Sequence, residues 1–158
     1  MHDVDVLRPI LRASWGADTC DPHDLPDWRP DNAARGQCGV TALVVQDLLG
    51  GELVLGEVFA NGTRTGHHYW NRLPDGRHID LTADQFRPDE AVVGGRVQQR
   101  PPGAPRRCRA QYETLRQRVL AELSSRSSPP DGHRRGPVEG EPPPVGRSPD
   151  RGAGWRAG

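Results

Sequence analysis

Lysine is absent from this chain: all 21 basic side chains among its 158 residues are arginine, matched by 21 acidic ones. Without lysine there is no Schiff-base or phosphate-loop lysine chemistry. A formal net charge of zero provides no global field to attract nucleic acid or an anionic membrane surface. The arginines are dispersed among acids and no nucleic-acid module is recognisable, so neither class of partner is expected. Apolar residues reach only 34%, against the usual ~45–50% of a count that includes glycine. The core should therefore be modest. No apolar run approaches the ~18 residues of a membrane span. The opening "MHDVDVLRPILRASW" carries acids where a signal peptide would carry basic residues. Cysteine is scarce and odd in number, with Cys20, Cys38 and Cys108 widely spaced. That excludes a disulfide framework and favours reduced thiols in the cytoplasm.

Glycine (19) and proline (16) are plentiful, and they divide the chain. Residues 124–158 contain 7 Pro and 7 Gly with almost no apolar side chains. Such a segment cannot bury enough surface to offset its ordering entropy, so a disordered tail is expected after a folded domain over residues 1–123. Its "EGEPPPVG" is compatible with polyproline II. Within the domain, Val4, Leu7, Leu11 and Trp15 recur at helical spacing, with Pro9 marking where regular helix should begin. From Cys38 to Leu49 apolar residues cover nearly every face, the pattern of a buried helix, and Gly50-Gly51 supply its stop. "ELVLGEVFA", "HHYWNRL" and "RHIDLT" read as three strands, the last two joined by the "PDG" turn. Residues 87–105 read as a loop. "RCRAQYETLRQRVLAEL" closes the domain as an amphipathic helix with Tyr112, Leu115, Val119 and Leu123 on one stripe. The order of elements predicts an α+β fold.

The hairpin allows a register to be argued. With a three-residue loop ending at a left-handed Gly76, Trp70 lies opposite Asp80, Tyr69 opposite Leu81 and His68 opposite Thr82. One face then collects Tyr69, Ile79 and Leu81 for the core, and the other His68, Trp70, His78 and Asp80. His68 and Asp80 become diagonal neighbours across the strands. Cys38 opens the buried helix, where free backbone N–H groups and the helix dipole favour a thiolate. A thiol, an imidazole and a carboxylate that orients it are the parts of nucleophilic acyl transfer. Cys38, His68 and Asp80 fit those roles, with His67 competing for the base. Gln37 and the helix N–H groups are candidate oxyanion donors. Gly36 and Gly39 would keep the approach to the sulfur open, and Trp15 and Trp70 are candidate core or pocket walls.

"GQCGVTALVVQDLLGGE", "HHYWNRLPDGRHIDLT" and "DQF", with "WGADT" upstream, resemble the YunG-like family of small bacterial proteins over about residues 8–123. The Cys-helix followed by a His-strand and an Asp-strand is also similar to the transglutaminase-like and papain-like cysteine superfamily. That likeness implies a papain/transglutaminase-like core, a buried helix on a small antiparallel sheet. It also implies Cys38 as nucleophile, His68 as base and Asp80 as orienting acid. Here Gln37 directly precedes the cysteine, whereas the papain-like oxyanion glutamine lies further upstream. The expected activity is hydrolysis or transfer at an amide, peptide or thioester carbonyl, with a small-molecule or peptide acyl substrate and no cofactor.

Blander readings stand beside this one. Singly, Cys38 would be packing filler, His68 a satisfied sheet residue, Asp80 a solvated strand residue, and Cys108 an incidental exposed thiol. Gln85 and Phe86 would anchor the segment after the third strand. Cys20 and His23, with Cys38 and His67 or His68, offer four ligands for zinc, although the spacing matches no known finger. A non-catalytic binding or scaffold domain would keep the same fold.

Overall fold

The computed structural model describes residues 3–127; the remainder of the expected tail lies outside the described residues. Three helices and a four-stranded antiparallel sheet follow in the order α1 (Val4–Ser14), α2 (Cys38–Leu49), β1 (Glu52–Ala60), β2 (Thr63–Arg72), β3 (His78–Ile79), β4 (Glu90–Gln98) and α3 (Arg109–Ser127). Strands are arranged β3-β2-β1-β4. The α+β expectation is met.

α1 starts at Val4, ahead of Pro9, because the Asp3 carboxylate caps it by accepting from the Asp5 N–H at 3.0 Å. Leu7, Ile10 and Leu11 are fully buried in the core. α2 buries Val40, Thr41, Ala42, Val44 and Val45. It is fastened on two sides: the Trp15 indole N–H donates to the Thr41 hydroxyl at 3.0 Å, and the buried Asn71 amide of β2 donates to the Ala42 carbonyl at 2.9 Å. Tyr112, Leu115, Val119 and Leu123 of α3 close the core from the other side. That helix continues through Ser127, so residues 124–127 belong to it and not to a disordered tail.

β1 and β2 are joined by Asn61-Gly62, both left-handed (φ 50° and 79°), the two-residue turn whose twist matches a hairpin. The second hairpin has the expected register. Asn71 pairs with Ile79 and Arg72 with His78, across a loop with Gly76 left-handed at φ 86°. Leu81 is buried in the core and Ile79 packs against it.

One reading is corrected. Residues 90–98, within the stretch expected to be a loop, form β4 and pair with β1 from Leu53↔Gln98 to Ala60↔Glu90. The Gly94-Gly95 pair coincides with a shift of register between Leu55 and Glu57, the place a bulge occupies. Gly95 also allows close approach: a Cβ there would stand 2.8 Å from the Trp70 ring.

Candidate active site

The loop before α2 is anchored by two buried features. Arg35 places one guanidinium nitrogen 3.0 and 2.9 Å from the two oxygens of Glu90, with both side chains largely buried, tying the loop to β4. Gly36 is left-handed at φ 69°, and a Cβ on it would stand 2.5 Å from Cys20 Sγ. Gly36 therefore makes room for Cys20 and not for an approach to Cys38. Cys20 is buried, with Sγ 3.3 Å from the Asp21 carbonyl and 3.4 Å from that of Arg35. Burial, then the Asp24 and Asp21 charges, push its thiol up to about 12, so it is neutral at physiological pH.

Gln37 is fully buried, and its side-chain N–H₂ donates to the Gly16 carbonyl at 2.9 Å. One of its two amide N–H donors is thereby engaged in holding the loop, away from the oxyanion role expected of the side chain. Trp15 is likewise a core residue, with its N–H committed to Thr41, and it does not wall a pocket. Cys38 occupies the first position of α2 and is half-buried. The first helical hydrogen bond runs from Thr41 N–H to the Gln37 carbonyl at 3.0 Å. The N–H groups of Cys38, Gly39 and Val40 precede it, where a helix leaves donors unpaired. A Cβ added at Gly39 would meet only the Tyr69 ring, 4.0 Å away.

His68 is buried, and its Nε2 lies 2.6 Å from Asp80 Oδ2. The other Asp80 oxygen accepts from the Thr82 N–H at 3.0 Å and from the Thr82 hydroxyl at 3.2 Å. The carboxylate is thus fixed before it fixes the imidazole. Trp70 stacks on His68 with centroids 5.8 Å apart, and Phe86 meets it edge-on at 4.8 Å. Trp70 itself rests on glycine: a Cβ on Gly56 would stand 2.9 Å from its ring, as one on Gly95 would at 2.8 Å. Its N–H donates to His78 Nδ1 at 2.9 Å. On the remaining His68 nitrogen, Nδ1, the Gln85 amide approaches at 3.4 Å. Gln85 is buried and also donates to the Thr82 carbonyl at 3.0 Å.

Burial disfavours the charged imidazole, but the hydrogen bond to Asp80 opposes it, and so do the hydrogen bond and charge of Cys38. The His68 pKa is pushed up to about 9. His68 and Asp80 are thus hydrogen-bonded, and Cys38 lies near enough to raise the imidazole pKa, although the three come from a helix, a strand and the segment after a strand. His67 is exposed and turned to Arg64; it takes no part. Gln85 and Phe86 belong to this site as well as to the segment they anchor. The "DQF" motif marked them, but their contact with His68 depends on how the chain turns back after β3.

The remaining candidates are elsewhere. Among the described residues no three His, Cys, Asp or Glu side chains are grouped so as to hold a metal ion, and the set Cys20, His23, Cys38 and His67 or His68 does not converge. Cys108 is half-buried and packs against the core, and burial, then Asp21, raise its pKa; it is not an incidental exposed thiol. Among the described residues no helix is long and apolar enough to cross a membrane.

No solved structure matches the chain. It is 35% identical over 83 residues to a Bacillus subtilis (strain 168) protein named "Uncharacterized protein YunG". That match covers 52% of this chain and 63% of the relative, so the chain spans less than two thirds of the relative's length. The family model described as "YunG protein" matches residues 3–124, which include Cys38, His68, Asp80 and Gln85. On that match the chain belongs to the YunG protein family.

Proposed function

We propose that the chain is a thiol-dependent acyl-transfer enzyme of transglutaminase- or papain-like architecture. It would act on an amide, peptide or thioester carbonyl. The observation that carries this reading is the buried imidazole of His68, held by Asp80 at 2.6 Å and raised in pKa by Asp80 and by Cys38, which opens the first turn of α2. An imidazolium beside a sulfur at a helix N-terminus is the arrangement that maintains a thiolate nucleophile.

In the reaction, Cys38 Sγ attacks the carbonyl carbon and the carbonyl oxygen takes the negative charge. The N–H groups of Cys38 and Gly39 are the donors available to that oxyanion. Collapse of the tetrahedral adduct breaks the bond to the leaving group, which departs with the proton of His68, leaving an acyl thioester on Cys38. Water or an amine then attacks the thioester, His68 takes its proton, and the thiolate leaves to restore the ion pair. Asp80 keeps the ring oriented throughout, and Trp70 and Phe86 shield the His68–Asp80 bond from water. A reducing cytoplasmic setting fits the three free thiols.

Alkylation tests this reading. Cys38 should react with iodoacetamide at pH 5.5 at least about tenfold faster than Cys108, read by peptide mass spectrometry, and His68→Ala should remove the difference. Equal rates at the two thiols in the unaltered protein would sink the proposal.

A further inference from the structure

Tyr69 of β2, Leu55 of β1 and Arg96 of β4 form one cross-strand row. Residues opposite one another in an antiparallel ladder share a face, and adjacent strands stand about 4.8 Å apart. Tyr69 and Arg96 therefore project from the same face, two strands apart. On that face the Tyr69 ring lies beside the first turn of α2, 4.0 Å from where a Gly39 Cβ would be. Cys38 is the residue before it.

Arg96 is exposed, and it has no carboxylate partner among the described residues. Most of the arginines around it are engaged: Arg35 with Glu90, Arg100 with Asp47, and Arg107 with Asp21. The Tyr69 hydroxyl likewise has no hydrogen-bond partner among the described residues. Its phenol is nonetheless half-buried and pushed upward, first by burial and then by the charge of Cys38, with Arg107 and Arg96 opposing. The phenol thus lies within electrostatic reach both of an uncommitted guanidinium and of the candidate nucleophile. The acids nearby are already paired: Asp21 with two nitrogens of Arg107 at 2.9 and 3.1 Å, and Glu57, on the same face of β1 as Leu55, with Arg64 at 3.1 Å.

We propose that Arg96 and the Tyr69 hydroxyl form a carboxylate-recognition site beside Cys38, and that the acyl substrate bears a carboxylate near the reacting carbonyl. The guanidinium fork matches a carboxylate in two parallel hydrogen bonds, and the phenol O–H supplies a third donor. The site rests on the acyl-transfer reading for its purpose. It does not rest on that reading for its detection.

Paired alkylating agents of similar size separate the two. Iodoacetate carries a carboxylate and iodoacetamide does not, so the ratio of their rates at Cys38 isolates charge recognition from the general reactivity of the sulfur. In the full-length protein this ratio should exceed that of N-acetylcysteine. Arg96→Gln should lower it ~5-fold, the equivalent of one charge pair in a watery site. Arg96→Lys should keep most of the preference, Tyr69→Phe should lose a smaller part, and 0.5 M salt should weaken it. A ratio unchanged by Arg96→Gln would overturn the proposal, since any preference would then come from His68. A Cys38 that is slow with both reagents at pH 5.5 would instead sink the acyl-transfer reading. The ratio is still measurable near pH 9, where an ordinary thiol is largely ionised, so the carboxylate site is tested either way.

Discussion

At His68 an almost inaccessible imidazole is kept charged by a carboxylate 2.6 Å away, itself held by two donors from Thr82. Burial alone would favour the neutral ring. Asp80 and Cys38 outweigh it, and the pKa rises to about 9. The folded state therefore binds the proton more tightly than an unfolded chain, in which histidine titrates near ~6.5. The stabilisation is complete below that value and is lost as pH rises through about 9. Thermal melting should fall between pH 6.5 and 9, and Asp80→Asn should flatten this dependence. A second residue-scale prediction concerns Gly36. Alanine there meets both a left-handed backbone and the Cys20 sulfur, so Gly36→Ala should destabilise by roughly 1–3 kcal/mol or more in urea unfolding.

At the scale of elements, β4 depends on what it pairs with. Its three valines, Val92, Val93 and Val97, all exposed, and its two glycines offer no alternation of apolar and polar residues by which to recognise a strand. Pairing with β1 makes it one. The contrast with α3 is instructive: Tyr112, Leu115, Val119 and Leu123 marked a helix by their spacing, because a helix has its periodicity within itself. The Arg35–Glu90 ion pair is the link between β4 and the loop that presents Cys38. Arg35→Ala leaves the buried Glu90 carboxylate without its cation and with only the Arg87 N–H as donor, an expected loss of about 3 kcal/mol. The double variant Arg35→Ala/Glu90→Ala should recover part of that loss, as a double-mutant cycle would measure.

On the scale of the whole molecule, α2 holds helices, sheet and site together. Trp15 of the segment after α1 and Asn71 of β2 both bond to it, and Leu115 of α3 is completely buried in the same core. Leu115→Ala should cost about 2–5 kcal/mol in equilibrium unfolding. Cys38 alkylation at pH 5.5, measured where the variant is still folded, should keep its dependence on His68.

Periodicity and turn chemistry, which are local, were enough to read the buried helix behind Cys38, the closing helix and the Pro74-Asp75-Gly76 turn. That turn sets the register, and the register alone puts His68 beside Asp80. Other assignments required contacts between residues far apart in the chain. Gln37 is placed by sequence as an oxyanion donor, but Gly16, 21 residues away, takes one of its amide N–H groups. Gly36 looked like an opening for the cysteine beside it, and instead accommodates Cys20. Gln85 and Phe86 reach His68 only because the chain folds back after β3. A donor has one place to go and a cavity one occupant. Tertiary packing, which brings the distant competitors together, decides which residue obtains them.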